Sequence, residues 1–395
     1  MRRFSQIALF VSCLLIAHPV YAETCLADSE SWADQALLRS MTKQLGLPDT
    51  PHPVDNPPTV EKIKLGRKLF FDRRLSINQT MSCAMCHIPE QGFTSNELKT
   101  AIGVEGRSVK RNSPTVLNVG FLEVLFHDGR DFSLETQYIA PLTSRVEMAN
   151  PTAGVVVSML NDLEEYQTMF NAAFGAPASL DRIGMALGSY QRTLVAADTA
   201  FDRWYFRGQA NAMTAQQIRG YDVFDGKGGC TSCHLIEDDH AIFTDQLFHD
   251  TGYDWQREQE RQNPPRTVPI ELANGVFTEV DFSVVQSVGL KKQSDLGRYE
   301  VTEAPEDLWK IRTPPLRNVA LTAPYMHDGN LSSLRDVIEF YNQGVQNHPQ
   351  QDQRIEPLGL GNDDINDLEA FLRSLTASNI DCLISEARVL PPDNY

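Results

Sequence analysis

Apolar residues recur at three- and four-residue spacing through LDRIGMALGSYQRTLVAADTAFDRWYF (180–206) and DDINDLEAFLRSLTAS (363–378), the period of a helix with one buried face. Two shorter stretches, LGRKLFFD (65–72) and IRGYDVFD (218–225), read as short amphipathic helices. Thr214, followed three residues later by Gln217, forms a capping box that would start a helix there. Strand-like alternation is scarce. Loops rich in Pro and Gly, such as PDTPHPVDNPPT and RQNPPRTVP, join the pieces. The pattern predicts an all-α chain with long loops.

The N-terminus differs from the rest. Arg2 and Arg3 precede an apolar run that ends in small residues before Ala22, the arrangement of a cleavable signal peptide over residues 1–22. The run is too short for a transmembrane helix, and Phe-Val-Ser is a poor lipobox ahead of Cys13. Export to a periplasm-like compartment is therefore expected, with no membrane span. Cleavage would take the formal charge from −17 to −19. Such a chain repels nucleic acid; its acidity suits a basic partner or simply solubility.

Seven cysteines divide by position. Cys13 leaves with the signal peptide. Cys25 and Cys382 lie near the two mature ends, a reasonable disulfide pair in an oxidising compartment. The other four make two Cys-x-x-Cys-His motifs, Cys83, Cys86 and His87 in SCAMCH, and Cys230, Cys233 and His234 in GCTSCH. This spacing lets both thiols add to the vinyl groups of one haem while the next imidazole reaches the iron. A zinc site would want a further Cys or His pair close by, and none follows either motif. Two covalently bound haem c groups are expected.

Downstream of each motif the chain repeats. SPTVLNVGFLEVLFHDG and TPPLRNVALTAPYMHDG align without a gap at an offset of 200, matching Asn118 with Asn318, His127 with His327 and Gly129 with Gly329. The expected organisation is two tandem cytochrome c-like haem domains, 58–205 and 206–378, after an N-terminal extension (23–57) and before a C-terminal tail (379–395).

The two haem motifs, together with RNSPTVLN, HDGR…LETQ…VEM and LRNVALTAPYMHDG, resemble the bacterial dihaem cytochrome c peroxidase and MauG superfamily from about residue 58 to 378. The resemblance implies that the haem on His87 binds peroxide. Val104 falls where ordinary family peroxidases carry a loop histidine that caps this iron at rest, so the iron would be open without reductive priming. Gln137 and Glu147 fall on the distal-pocket positions, a carboxyl group suited to proton transfer beside an amide donor. For the haem on His234 the resemblance places Tyr341, in VIEFYNQG, as sixth ligand, as in MauG-like proteins; Met326 is the rival, although its repeat counterpart is Phe126. A calcium ion between the haems would take Asn112 through its side chain and Thr322 and Pro324 through carbonyls.

Two departures bear on function. His127 replaces the family's inter-haem tryptophan, and Gly228 replaces the surface tryptophan that MauG places two residues before its second haem motif. Trp32, Trp204, Trp255 and Trp309 remain as relay or core residues. His127 and His327 could orient haem propionates or loops, and His240 and His249 have no assigned role. The expected activity is a MauG-like peroxidase that uses hydrogen peroxide to form high-valent haem iron and oxidises a protein substrate or other donor. The rivals are an ordinary cytochrome c peroxidase fed by a small redox protein and a non-catalytic electron carrier.

Overall fold

The computed structural model describes residues 31–389 except 274, 289–293 and 346–347. The expected signal peptide and Cys25 lie outside the described residues. Helices dominate. The first part of the chain carries α1 (Trp32–Met41), α2 (Val60–Phe71), α3 (Leu134–Gln137), α4 (Ile139–Thr143), α5 (Ala153–Asp162), α6 (Glu164–Phe174), α7 (Leu180–Gln191) and α8 (Ala200–Tyr205). The remainder carries α9 (Ala215–Asp225), α10 (Tyr253–Gln262), α11 (Phe282–Val288), α12 (Tyr299–Thr302), α13 (Leu334–Gln343), α14 (Asn362–Ser374) and α15 (Ile380–Arg388). The capping box expected at Thr214 is present, each side chain accepting from the other residue's backbone N–H at the start of α9.

Two helix crossings carry the haem motifs. The helix leading into the first motif, α2, crosses α7 at Gly66, where a Cβ would overlap the Ala186 carbonyl oxygen and lie 2.9 Å from Tyr190 Cβ. The helix leading into the second, α9, crosses α14 at Gly220, where a Cβ would overlap the Asp367 carbonyl and lie 2.8 Å from Phe371 Cβ. Matching these glycines pairs Phe70 with Phe224. The rings confirm the match: Phe70 lies 6.2 Å from the His87 ring and Phe224 lies 6.4 Å from that of His234. Gly66→Ala is expected to cost roughly 1–3 kcal/mol, the range for overpacking a tight contact. A denaturant midpoint equal to wild type would show that the crossing can open.

One hydrophobic core joins Ile63, Leu69 and Phe70 of α2 to Tyr166, Phe170 and Leu187, and takes in Trp32 and Ala36 of α1 with Leu383 and Ala387 of α15. The N-terminal extension and the C-terminal segment therefore pack into the first half. A second core gathers Phe201, Val223, Phe224, Ile338, Leu368 and Phe371 from α8, α9, α13 and α14.

The apolar run 180–206 is not one helix. Between α7 and α8, Thr193 to Ala197 form a buried non-helical segment, none more than 3% exposed. Its main chain is paired by side-chain amides instead of helical bonds. Asn118 donates to the Ala196 carbonyl and accepts from its N–H, both at 2.8 Å, and Asn379 donates to the Val195 carbonyl at 2.9 Å. Strands also occur: β1 (Phe248–His249) pairs antiparallel with β4 (Ile311–Arg312), and β2 (Thr267–Ala273) with β3 (Val276–Asp281). The Asn274-Gly275 dipeptide between β2 and β3 is a hairpin signal that outweighs the loop-like prolines before it.

Candidate haem and peroxide site

A largely apolar cavity of about 990 Å³ is bounded by both Cys-x-x-Cys-His motifs. Each motif begins with a 3-10 turn, Cys83–Met85 and Cys230–Ser232, that brings its two thiols and the following histidine to the wall. His87 Nδ1 lies 3.3 Å from the Phe93 carbonyl and His234 Nδ1 lies 2.8 Å from that of Phe243. Donating Nδ1–H there leaves Nε2 as the ligand atom in both rings. Phe93 and Phe243 are both fully buried, with φ of 56° and 60°. The next residues also correspond: Thr94 donates to the Ser113 carbonyl, and Thr244 to the Thr313 carbonyl. The Phe-Thr pair in GFTS and IFTD is thus a further repeat signal, overlooked because only a dipeptide is shared. Oriented imidazoles, paired thiols and an apolar chamber fit two covalently attached haems.

On the first side, Gln137 and Glu147 both reach the cavity wall. Burial pushes the Glu147 carboxyl above its ordinary range, with the Arg130 guanidinium opposing. Glu135, two residues before Gln137, is bound to Arg192 at 2.6 and 3.0 Å and to Asn56 at 2.9 Å, so it serves the scaffold. Val104 is 1% exposed and belongs to the first core. Its N–H donates to the Glu147 carbonyl at 2.9 Å, and the neighbouring Gly103 has no room for a Cβ against Val146. Position 104 therefore anchors the Glu147 turn.

On the second side, Leu334, Ile338 and Tyr341 share one face of α13 at i, i+4 and i+7 spacing. Leu334 and Ile338 belong to the second core, and all three line the cavity. Among the described residues no hydrogen-bond partner meets the Tyr341 hydroxyl. Burial and then the nearby Cys230 and Cys233 thiols raise its pKa, which places the phenol beside the second motif. Met326 also lies on the wall; it and Phe126 share a left-handed backbone, φ 64° and 65°.

Between the two sides the His127 and His327 rings lie 6.4 Å apart. His127 Nε2 is 3.0 Å from the Asn112 carbonyl, and His327 Nε2 is 3.2 Å from Asp254. Asn112, Thr322 and Pro324 line the same chamber, and the Asn112 amide donates to the Lys99 carbonyl at 2.9 Å. His249 is held by Asp245 and Asp352, each at 2.8 Å. With Cys233 and Asp245 it makes the one His/Cys/acid grouping, among the described residues, compact enough for a metal ion, but that thiol belongs to the haem motif. His240 sits at the surface on Asp239.

The tryptophans separate into two kinds. Trp32 and Trp204 pack with the two cores. Trp309 lines the cavity and meets Trp255 edge-on at 5.5 Å, while Trp255 stacks on His348 at 5.0 Å and 3°. At Gly228 a Cβ would come 2.7 Å from the Val223 carbonyl, so the tight turn excludes a tryptophan.

The profile of the Di-haem cytochrome c peroxidase family matches residues 60–211. The methylamine utilization protein MauG of Methylorubrum extorquens is 34% identical over 388 residues, 95% of this chain and 97% of that protein. Cytochrome-c peroxidase IdrP1 of Pseudomonas sp. (strain SCT) is 35% identical over 84% of this chain and 85% of its own length. Among solved structures, a MauG-like protein associated with microbial copper homeostasis superposes with a TM-score of 0.69 at 30% identity, over 88% of this chain and 97% of that one. Near-complete coverage at this identity, joined to two matching haem loops, means that the chain belongs to the di-haem cytochrome c peroxidase and MauG family, peroxidase-type oxidoreductases carrying two haem c groups.

Proposed function

We propose that this MauG-like peroxidase works in the periplasm with two unlike haem sites. Cys83, Cys86 and His87 would hold the first haem and leave it no second protein ligand. Cys230, Cys233 and His234 would hold the second, closed by Tyr341. The haems supply iron that stores and releases the two electrons needed to reduce hydrogen peroxide to water. Glu147 takes a proton from the bound peroxide and returns it to the departing oxygen, while the Gln137 amide donates a hydrogen bond to the oxidant. The apolar walls keep bulk water from competing for that proton. Electrons come from a side chain on a protein substrate or from a small redox protein.

The remaining assignments belong to the same reading. Each half of the chain serves as one haem unit, supported by the paired Gly66 and Gly220 crossings and the paired Phe-Thr carbonyl supports. Asn112, Thr322 and Pro324 would hold calcium with water completing its shell. Cys382 carries no free thiol, which supports pairing with Cys25. The signal-peptide pattern of residues 1–22 supports export, and no helix among the described residues is long and apolar enough to cross a membrane.

The observation that carries the reading is Val104, buried beneath the Glu147 turn where a capping histidine would otherwise stand. Ferric protein mixed with stoichiometric peroxide should change its absorption spectrum with no prior reduction. Low-temperature EPR of the resting protein should show one high-spin and one low-spin haem. A spectrum inert to peroxide until reduced points to an ordinary cytochrome c peroxidase, and one inert in both states to an electron carrier.

A further inference from the structure

Most inward-facing arginines in this protein have carboxylate partners; Arg67, which bonds the Ala387 and Val389 carbonyls and lies over the Trp32 and Phe71 rings away from the cavity, and Arg312, on the cavity wall, do not. Arg111 is paired with Asp295 and Asp128, Arg192 with Glu135, Arg317 with Asp202 and Arg39 with Glu386. Arg312 is 5% exposed, lines the chamber and reaches only main-chain carbonyls, Phe126 and Thr313, each at 3.2 Å. No carboxylate among the described residues pairs with it, and burial alone lowers its pKa to about 10. An uncompensated buried guanidinium is costly, and Arg312, unlike Arg67, faces the chamber, where an anionic group could reach it.

The position is well defined. Strand β4 carries Arg312 opposite Phe248 of β1, and the Arg312 N–H donates to the His127 carbonyl at 2.9 Å. At the repeat offset of 200, Arg312 is the counterpart of Asn112. One half thus presents a neutral amide, and the other a fixed positive charge, at equivalent places beside the His127–His327 pair.

We propose that Arg312 is the receptor for a haem propionate. Each haem brings carboxylates that the protein must place within a mostly apolar chamber, and a planar guanidinium binds a carboxylate through two parallel hydrogen bonds. The pair would neutralise both charges at once and fix the tilt of the haem at its propionate edge. This rests on the two-haem assignment, which a pyridine haemochrome count of two haems per chain checks independently of Arg312.

The test uses the haem-loaded protein, comparing wild type with Arg312→Gln and Arg312→Lys at pH 8. Loss of the positive charge in Arg312→Gln should shift a propionate-bending band in the resonance Raman spectrum. It should also favour the ferric form of one haem about tenfold, a lowering of ~59 mV for one electron. Arg312→Lys keeps the charge and should hold the midpoint close to wild type. If Arg312 only ties the Phe126 and Thr313 carbonyls, the two variants will behave alike and the propionate band will stay put, which overturns the assignment. Should Arg312→Gln fail to fold, a crystal structure of the haem-loaded wild type decides: a propionate oxygen within about 4 Å of the guanidinium supports it, and none overturns it.

Discussion

Glu147→Gln is expected to slow the reaction of the resting protein with hydrogen peroxide by roughly 10²- to 10⁴-fold, the range for a lost general acid–base group. Glutamine keeps the size and hydrogen-bonding capacity of the side chain, and the Val104 N–H still holds its backbone, so the turn should persist. What is lost is the ability to carry a proton. The pH dependence gives a second signature. Burial raises the Glu147 pKa, and the ionised form is the one that can accept the proton. The wild-type rate should therefore fall as pH drops through a value above the ordinary carboxylate range. In Glu147→Gln that acidic limb should vanish. Stopped-flow spectroscopy with peroxide in excess measures both, and a variant with the wild-type rate and pH profile would remove Glu147 from the chemistry.

Much of this site was readable from the chain because covalent haem attachment demands a fixed local spacing, and because the duplication shows some features twice. The two motifs, Asn118 with Asn318 and His127 with His327 can be paired by counting. Glu147 and Tyr341 were reached only through the resemblance, since one acid or one tyrosine carries no period; the structure brings both to the haem chamber. The break after α7 was hidden because Thr193 to Ala197 are apolar or small and keep the helical spacing. Only the distant amides of Asn118 and Asn379, which satisfy that main chain, reveal why it is not helical. The register that relates the two leading helices is hidden for a similar reason. A glycine at a crossing is defined by the carbonyl it meets, Ala186 for Gly66 and Asp367 for Gly220, and those partners lie far along the sequence. Arg312 was invisible as a site because its missing partner is not an amino acid.

Tyr341→Met is expected to produce the largest change in the second haem, raising its midpoint potential by roughly 0.2 V or more within the ~0.8 V that axial ligands span. The direction follows from the donor atoms. A phenolate is a hard, charged ligand that stabilises ferric iron, whereas a neutral thioether favours the ferrous state. The substitution suits the site, because an unbranched methionine can follow the path of the ring while Leu334 and Ile338 keep α13 on the second core. Binding through oxygen also requires the phenol to release its proton, against the burial that holds it neutral without a metal. A second variant, Tyr341→Phe, removes the donor without supplying another and should convert the low-spin EPR signal to high-spin. With its second haem poised higher, Tyr341→Met should accept electrons from a small reduced cytochrome that leaves the wild-type protein ferric. Unchanged midpoints together with an unchanged low-spin signal in both variants would show that Tyr341 is only a packed aromatic, and the asymmetry between the two haem sites would then need another ligand.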